Sequence, residues 1–290
     1  MTTELKSYIA SLLSTTQSLT FKSVGGGSIN EAWQLTDGNE TYFCKINSAS
    51  QYPGLFATEA EGLTTISNTE CIQCPSVISV AAFQDYQVLL LEWIEPGARH
   101  NASWKQFAEQ LAKLHAWDGE PRTQFGFHQH NYMGSLPQSN TFTDEWCTFF
   151  REQRLEPQLK LASEQGLISS SHLKQFENLY QKLAAIFPDT SPSLVHGDLW
   201  SGNYLFGRNG QPVLIDPAIY YGIAAIDLAM TTLFGGFDKE FYEAYQYWSP
   251  FPDNYRDQWA VCNLYPLLIH LNLFGQGYLN SIESCLRRFR

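Results

Sequence analysis

The chain has 290 residues, 44% of them hydrophobic and 16% charged, which gives enough apolar mass for one large domain or two modest ones around a cleft and argues against disorder. Its formal charge is −11, from 29 acidic residues against 18 Lys plus Arg; this disfavours nucleic acid as a partner, because neutralising phosphates needs clustered cations. No segment approaches a membrane span, since VLLLEWI and VISVAAF are only strand-sized.

The opening MTTELKSYIASLLS reads as an amphipathic helix carrying Glu4, without the basic start and apolar stretch of a signal peptide. With six cysteines in a chain of this kind, reduced thiols and a cytoplasmic location are expected. FKSV is then a short apolar strand, GGGSIN a flexible loop and EAWQLT a second strand, with DGNE turning the chain into TYFCKIN. From Gly54 to Asn68 the period becomes helical, with Phe56, Leu63 and Ile66 on one stripe. Cys71 and Cys74 form a lone CxxC with no second pair at zinc spacing, so no metal is assigned there. CPSVISVAAF and YQVLLLEWI predict a further hairpin, and EPGARHN breaks the pattern with Pro96 and Gly97.

Beyond this linker the pattern is helical. Residues 103–117 place Trp104, Phe107, Leu111 and Leu114 on one face, and His128 with His130 forms an isolated HxH to which no metal is assigned. Further helices are predicted over 143–163, 171–186, 224–234, 238–247 and 254–273. Residues 203–216 interrupt them as a small hairpin of YLF, a GRNGQP turn and VLID. The expected architecture is α+β: a small antiparallel-sheet lobe over residues 1–95 that binds nucleotide, and a larger helical lobe over 96–290 that holds the catalytic groups and acceptor.

The stretch SLVHGDLWSGNYLF crowds His196, Asp198, Trp200, Ser201 and Asn203 into one loop, where polar groups need partners or chemistry to justify their desolvation. Because the hairpin folds back, Asp216 at the end of VLID should return near Asn203, with Pro217 keeping the following chain extended. A carboxylate and an amide oxygen brought together this way are hard ligands suited to Mg²⁺. Asp198 is then free to face a substrate hydroxyl. This order, H-x-D-x-x-x-x-N followed by Asp, is the phosphoryl-transfer constellation.

Its partner groups lie in the first lobe. Gly25, Gly26, Gly27 and Ser28 sit between two strands, where main-chain amides can approach phosphates without Cβ interference. Lys45, on a strand face with Thr41 and Phe43, can meet the α- and β-phosphates and requires a carboxylate to hold it. Glu59 lies in the apolar seam of the following helix, three residues after Phe56 and four before Leu63, whereas Glu61 falls on the polar side. An acid in a buried seam asks for a cation, so Glu59 is the expected partner. His115, His196 and Asp227 are read as support: a core histidine, a loop-shaping histidine and a helix-start acid bracing the loop.

Taken together, HGDLWSGN, DPAIYYG, DLAMTTLFGGF, GGGSINEAW and LIHLNLFGQGY resemble the fructosamine kinase (ketosamine-3-kinase) family, within the aminoglycoside phosphotransferase and choline kinase group that shares the protein-kinase-like fold. The resemblance covers about residues 20 to 280 as motif order. It implies Asp198 as catalytic base, Asn203 and Asp216 as Mg²⁺ ligands, Lys45 and Glu59 as the pair positioning ATP, and the main chain of Glu92, Trp93 and Ile94 as the adenine contact. It further implies that Trp200, Tyr220 and Tyr221 wall an acceptor pocket for a free ketosamine or a glycated protein lysine, with no obligate protein partner. The implied reaction transfers phosphate from ATP to the sugar 3-hydroxyl, after which the amine is released. A choline-like or aminoglycoside-like acceptor is the competing expectation, and a nucleotide-binding scaffold without catalysis is a third that the intact polar set disfavours. One departure stands out: where the family carries a charged stretch after the paired tyrosines, this chain has Ile223, Ala224 and Ala225. Ser28 also replaces a cysteine that some members carry.

Overall fold

The computed structural model describes residues 1–13, 15, 17–25, 29–119 and 122–289. Gly26, Gly27 and Ser28 therefore lie outside the described residues. Helix α1 (Thr3–Leu12) opens the chain, followed by β1 (Thr20–Val24), β2 (Glu31–Thr36), β3 (Thr41–Ser48), helix α2 (Leu55–Asn68), β4 (Val77–Phe83) and β5 (Tyr86–Glu92). The strands form one antiparallel sheet in the order β1-β2-β3-β5-β4. Alternation along the strands supplies two apolar faces. One packs against α1 through Leu5, Ile9, Leu35, Cys44, Ile46, Val88 and Leu90. The other, with Leu89 and Leu91, joins α2 and the helical lobe in a single continuous core.

The helical lobe begins with α3 (Ser103–His115) and a short hairpin of β6 (Asn131–Met133) and β7 (Leu136–Gln138). It continues through α4 (Trp146–Phe149), a π-helical stretch Phe150–Leu155, α5 (Glu156–Glu164), α6 (Ser170–Tyr180) and α7 (Leu183–Ile186). Then come β8 (Ser193–Val195), β9 (Tyr204–Phe206), β10 (Pro212–Leu214) and β11 (Tyr220–Gly222). The chain closes with α8 (Ala224–Met230), α9 (Lys239–Trp248), α10 (Tyr255–Cys262), α11 (Leu264–Phe274) and α12 (Leu279–Arg287). The expected small hairpin is β9 paired with β10, and β8 pairs antiparallel with β11.

The differences from the expected elements have local causes. The helix expected over 254–273 is two helices, because Pro266 has no N–H to bond the carbonyl four residues back and the first helix stops at Cys262. The one expected over 143–163 is a single helical run whose middle turn widens to a π-helix. The β6–β7 hairpin and α12 carry no pattern strong enough to have been expected. Among the described residues, no helix is long and apolar enough to cross a membrane.

Candidate active site

Strand β8 delivers the polar loop into the cleft between the lobes. The loop turns sharply at Gly197, which has φ +82° and where a Cβ would come within 2.1 Å of the Ala218 carbonyl oxygen, so a side chain is excluded on both counts. The fully buried Asp227 braces the turn: its Oδ2 accepts the His196 main-chain N–H at 2.7 Å and its Oδ1 accepts that of Gly197 at 2.9 Å. His115 joins the same carboxylate at 3.0 Å and meets the Tyr245 hydroxyl at 2.8 Å through its other nitrogen. Burial alone would raise the Asp227 carboxyl, but His115, His196 and the Gly197 N–H outweigh it and hold the group below the usual range. Asp227 lies in the first turn of α8 rather than at its N-cap, which is Ile223.

His196 is fully buried, and burial pushes its ring toward the neutral form. One neutral tautomer satisfies both nitrogens, with Nε2–H donating to the Ile215 carbonyl at 2.9 Å and Nδ1 accepting the Asp198 N–H at 3.2 Å. The ring thus ties the loop to the end of the β9–β10 hairpin, and Asn203 completes the turn by donating from Nδ2 to the Asp198 carbonyl and to its Oδ2, both at 2.8 Å.

From the sheet, β3 presents Lys45, whose Nζ lies 2.7 Å from Glu59 Oε1 and 2.6 Å from Asp216 Oδ1. Lys45 and Glu59 are buried, while the Asp216 side chain is 42% exposed and lines the cleft. Asp216 adopts φ +55°, a left-handed conformation that Asp tolerates better than most residues. Glu61 turns outward to His128, with 2.6 Å between Oε1 and Nε2, so the apolar seam did select the right acid.

Three carboxylates, Glu59, Asp198 and Asp216, therefore line one small cavity with a single ammonium, which Glu59 and Asp216 contact directly. The imbalance shows in their protonation. Burial pushes Asp198 up to about 8, against the Asn203 hydrogen bond and with the Asp216 and Asp227 charges adding to it. Burial likewise raises Glu59 to about 7, with Lys45 pulling down and Asp216 pushing up. Burial would lower Lys45, but Asp216 and then Glu59 overcome it and hold the ammonium charged. Such a cluster has room for another positive group. Asn203 donates its amide hydrogens to Asp198, and with Asp216 it lines the cleft, so an amide oxygen and a carboxylate, donor types suited to Mg²⁺, are present there.

Beside this cluster lies a cleft of about 440 Å³. Ala32, Phe43, Leu91, Ile94, Leu205 and Ile215 make it apolar, and Gly25, Asn30, Lys45, Asn203 and Asp216 make its inner end polar. The Glu92 N–H bonds the Ser76 carbonyl at 2.9 Å, which leaves the main-chain groups of Trp93 and Ile94 as the polar edge of the linker. Trp200 lines the opening and is 37% exposed.

Two expected acceptor contacts are corrected. Tyr220 and Tyr221 are both buried on β11 and line no part of this cleft. The Tyr220 ring packs on Phe149 and under the Arg154 guanidinium, 4.0 Å from its centroid, and Tyr221 has Arg122 over its ring at 5.1 Å. Strand β11 is buried at all three residues, so both of its faces are covered. A different aromatic set flanks Trp200: Phe234 meets it edge-on at 6.1 Å, and His270 lies 4.3 Å from Phe234 and 5.1 Å from Tyr278. These rings come from LFGGF and LIHLNLFGQGY, whose clustered aromatics and glycines were the available signal. Ile223, Ala224 and Ala225 lie elsewhere, on a groove with Pro188, Pro250 and Trp259.

The sequence matches the family described as fructosamine kinase over residues 1–289. The chain belongs to the fructosamine kinase family. A probable ketoamine kinase of Synechocystis sp. is 40% identical over 267 residues, covering 92% of this chain and 89% of that protein. A crystal structure assigned as a fructosamine-3-kinase from Haemophilus somnus superposes with TM-score 0.86 at 26% identity, covering 98% of this chain and 96% of that one. Aminoglycoside phosphotransferase APH(4)-Ia, solved with AMP-PNP and hygromycin B, shares the fold alone, with TM-score 0.65 at 14% identity over 98% of each chain. As a member of this family the protein is a phosphotransferase of the sugar-amine kinase type, with the protein-kinase-like two-lobed fold.

Proposed function

We propose that the protein uses ATP and Mg²⁺ to phosphorylate the 3-hydroxyl of the sugar in ketosamines, a step that reverses glycation of amines. The observation that carries this reading is that Lys45, Asn203 and Asp216 line both a cleft wide enough for a nucleotide and a small adjoining cavity that also holds Glu59 and Asp198. The apolar slot and the linker edge at Trp93 and Ile94 suit adenine, and Gly25 to Ser28 suit the phosphates. Lys45, steadied by Glu59, orients the α- and β-phosphates. Asn203 and Asp216 would hold Mg²⁺, which when bound neutralises charge on the triphosphate. Asp198, made basic by its surroundings, accepts the proton of the attacking hydroxyl.

Trp200, with Phe234 and His270 behind it, offers flat faces suited to a sugar ring and to a protonated amine. A phosphate at C3 neighbours the ketone at C2, so the 1,2-enaminol form can expel inorganic phosphate from C3, and water then hydrolyses the resulting C1 imine to release the amine. The remoteness of Ile223 to Ala225 from the cleft supports transfer despite the missing charges. The test is product analysis by phosphorus NMR after incubation with ATP, Mg²⁺ and a fructosyl-lysine analogue. A ketosamine 3-phosphate is expected; transfer only to an aminoglycoside or choline-like acceptor would reject this reading.

A further inference from the structure

Helix α2 carries Glu59, yet its own first turn does little to fix where it starts. Its N-cap is Gly54, with φ +74°, no capping side chain and no acid in the first turn. From the sheet side, Gln87 holds the preceding turn by donating to the Tyr52 carbonyl at 2.6 Å. From the helical lobe, the β6–β7 hairpin reaches across: the Tyr132 hydroxyl donates to the Pro53 carbonyl at 2.9 Å, and His128 pairs with Glu61. Between these ties, α2 lies so close to the chain after Asp216 that a Cβ on Gly62 would sit 3.1 Å from Pro217 Cγ.

The hairpin has a fixed base. Asn131 donates to the Ile219 carbonyl at 2.9 Å, and Gln138 donates to Asn131 at 2.7 Å while accepting from the Tyr265 hydroxyl at 2.8 Å. Asn140 also donates to Asn131, and the fully buried Arg154 donates to Asn140 at 2.7 Å. A buried network whose amide groups bond one another in this way is rigid. The same hairpin thus grips the backbone just past Asp216 and the start of the helix that bears Glu59. Its residues Asn131, Tyr132 and Gly134 line a small cavity of about 160 Å³ with Lys45, Glu59 and Asp198.

We propose that Tyr132, assisted by His128, is a positioning residue: it ties α2 to the helical lobe so that Glu59 stays on Lys45 and Lys45 stays on Asp216. The proposal rests on the phosphoryl-transfer reading for its catalytic consequence, though not for the tie itself. Both ties face solvent, and the ion pair of His128 is also screened by salt; the Tyr132 bond is the one that reaches the turn where α2 starts.

Hydrogen exchange on Tyr132→Phe and His128→Gln tests the tie whatever the substrate. Amides of residues 55–62 are expected to exchange at least about fivefold faster in Tyr132→Phe, with those of β5 and α3 unchanged. Unchanged exchange in α2, or equal acceleration throughout the chain, would overturn the proposal. In turnover assays Tyr132→Phe should lower kcat by about five- to tenfold with the acceptor KM unchanged, and add less than about twofold on a Glu59→Gln background. Independent, multiplying losses would overturn it as well. A wild-type protein inert toward ketosamines would instead sink the functional reading, and the exchange comparison would still decide this one.

Discussion

The ammonium of Lys45 sits between Glu59 and Asp216, 2.7 Å from one carboxylate and 2.6 Å from the other, so a single side chain of the sheet is held jointly by α2 and by Asp216 of the helical lobe. Among the described residues, Glu59 makes no other side-chain hydrogen bond or ion pair. Glu59→Gln keeps the shape and removes the charge that orients the lysine. It is expected to lower kcat/KM for ATP by roughly 10- to 100-fold while the acceptor KM stays within twofold of wild type, as measured by steady-state kinetics with each substrate varied in turn.

Asp227 braces the loop of His196 and Gly197 and is not among the residues lining the cleft. Its folded-state carboxyl is held below the ordinary value, so its stabilisation is fully present above about pH 4, the unfolded value, and is lost as pH falls through the lower folded value. Asp227→Asn should cost about 2–4 kcal/mol at neutral pH, because two loop N–H groups and His115 lose their charged acceptor. It should also flatten the acid limb of the stability curve. Urea melts between pH 3 and 7 check both effects, and parallel curves for the two proteins would contradict them.

Gly197 is where backbone conformation and space coincide. Gly197→Ala places a Cβ against the Ala218 carbonyl at a positive φ, and should destabilise the protein by about 2 kcal/mol or more and lower turnover further by displacing Asp198. Thermal unfolding and kinetics on the soluble variant would read out both.

The proposed acceptor face predicts a separable effect. Trp200→Ala should raise the ketosamine KM by about tenfold while the KM for ATP changes little, since a stacked ring or cation–π contact contributes on the order of 1 kcal/mol. Tyr220→Phe, a change inside the core, should leave the acceptor KM unmoved.

The sheet, the β9–β10 hairpin and the pairing of Lys45 with Glu59 rather than Glu61 were legible because each rests on local periodicity: alternation in strands, and a helical seam that singles out one of two acids. Asp227 was legible as a brace because it opens a helix next to a polar loop. Tyr220 and Tyr221 were not, because a strand of three residues has no readable face, and only packing against Phe149 and Arg154 on one side and Phe127 and Arg122 on the other decides that both rings are buried. The aromatic set around Phe234 and His270 joins segments far apart in the chain, a juxtaposition made by packing rather than spacing. The amide network of Asn131, Gln138 and Asn140 escaped for the same reason. Proline placement explains the split at Cys262, a signal that was present and outweighed by the long apolar run.

Asp198→Asn tests the central claim most directly, because it keeps the size of the side chain and removes only the proton acceptor. Phosphate transfer to a ketosamine should fall by about 10²- to 10⁴-fold, with ATP affinity by calorimetry within about threefold of wild type. Turnover that survives the substitution, or ATP binding lost along with it, would contradict the assignment of Asp198 as the base in this cleft.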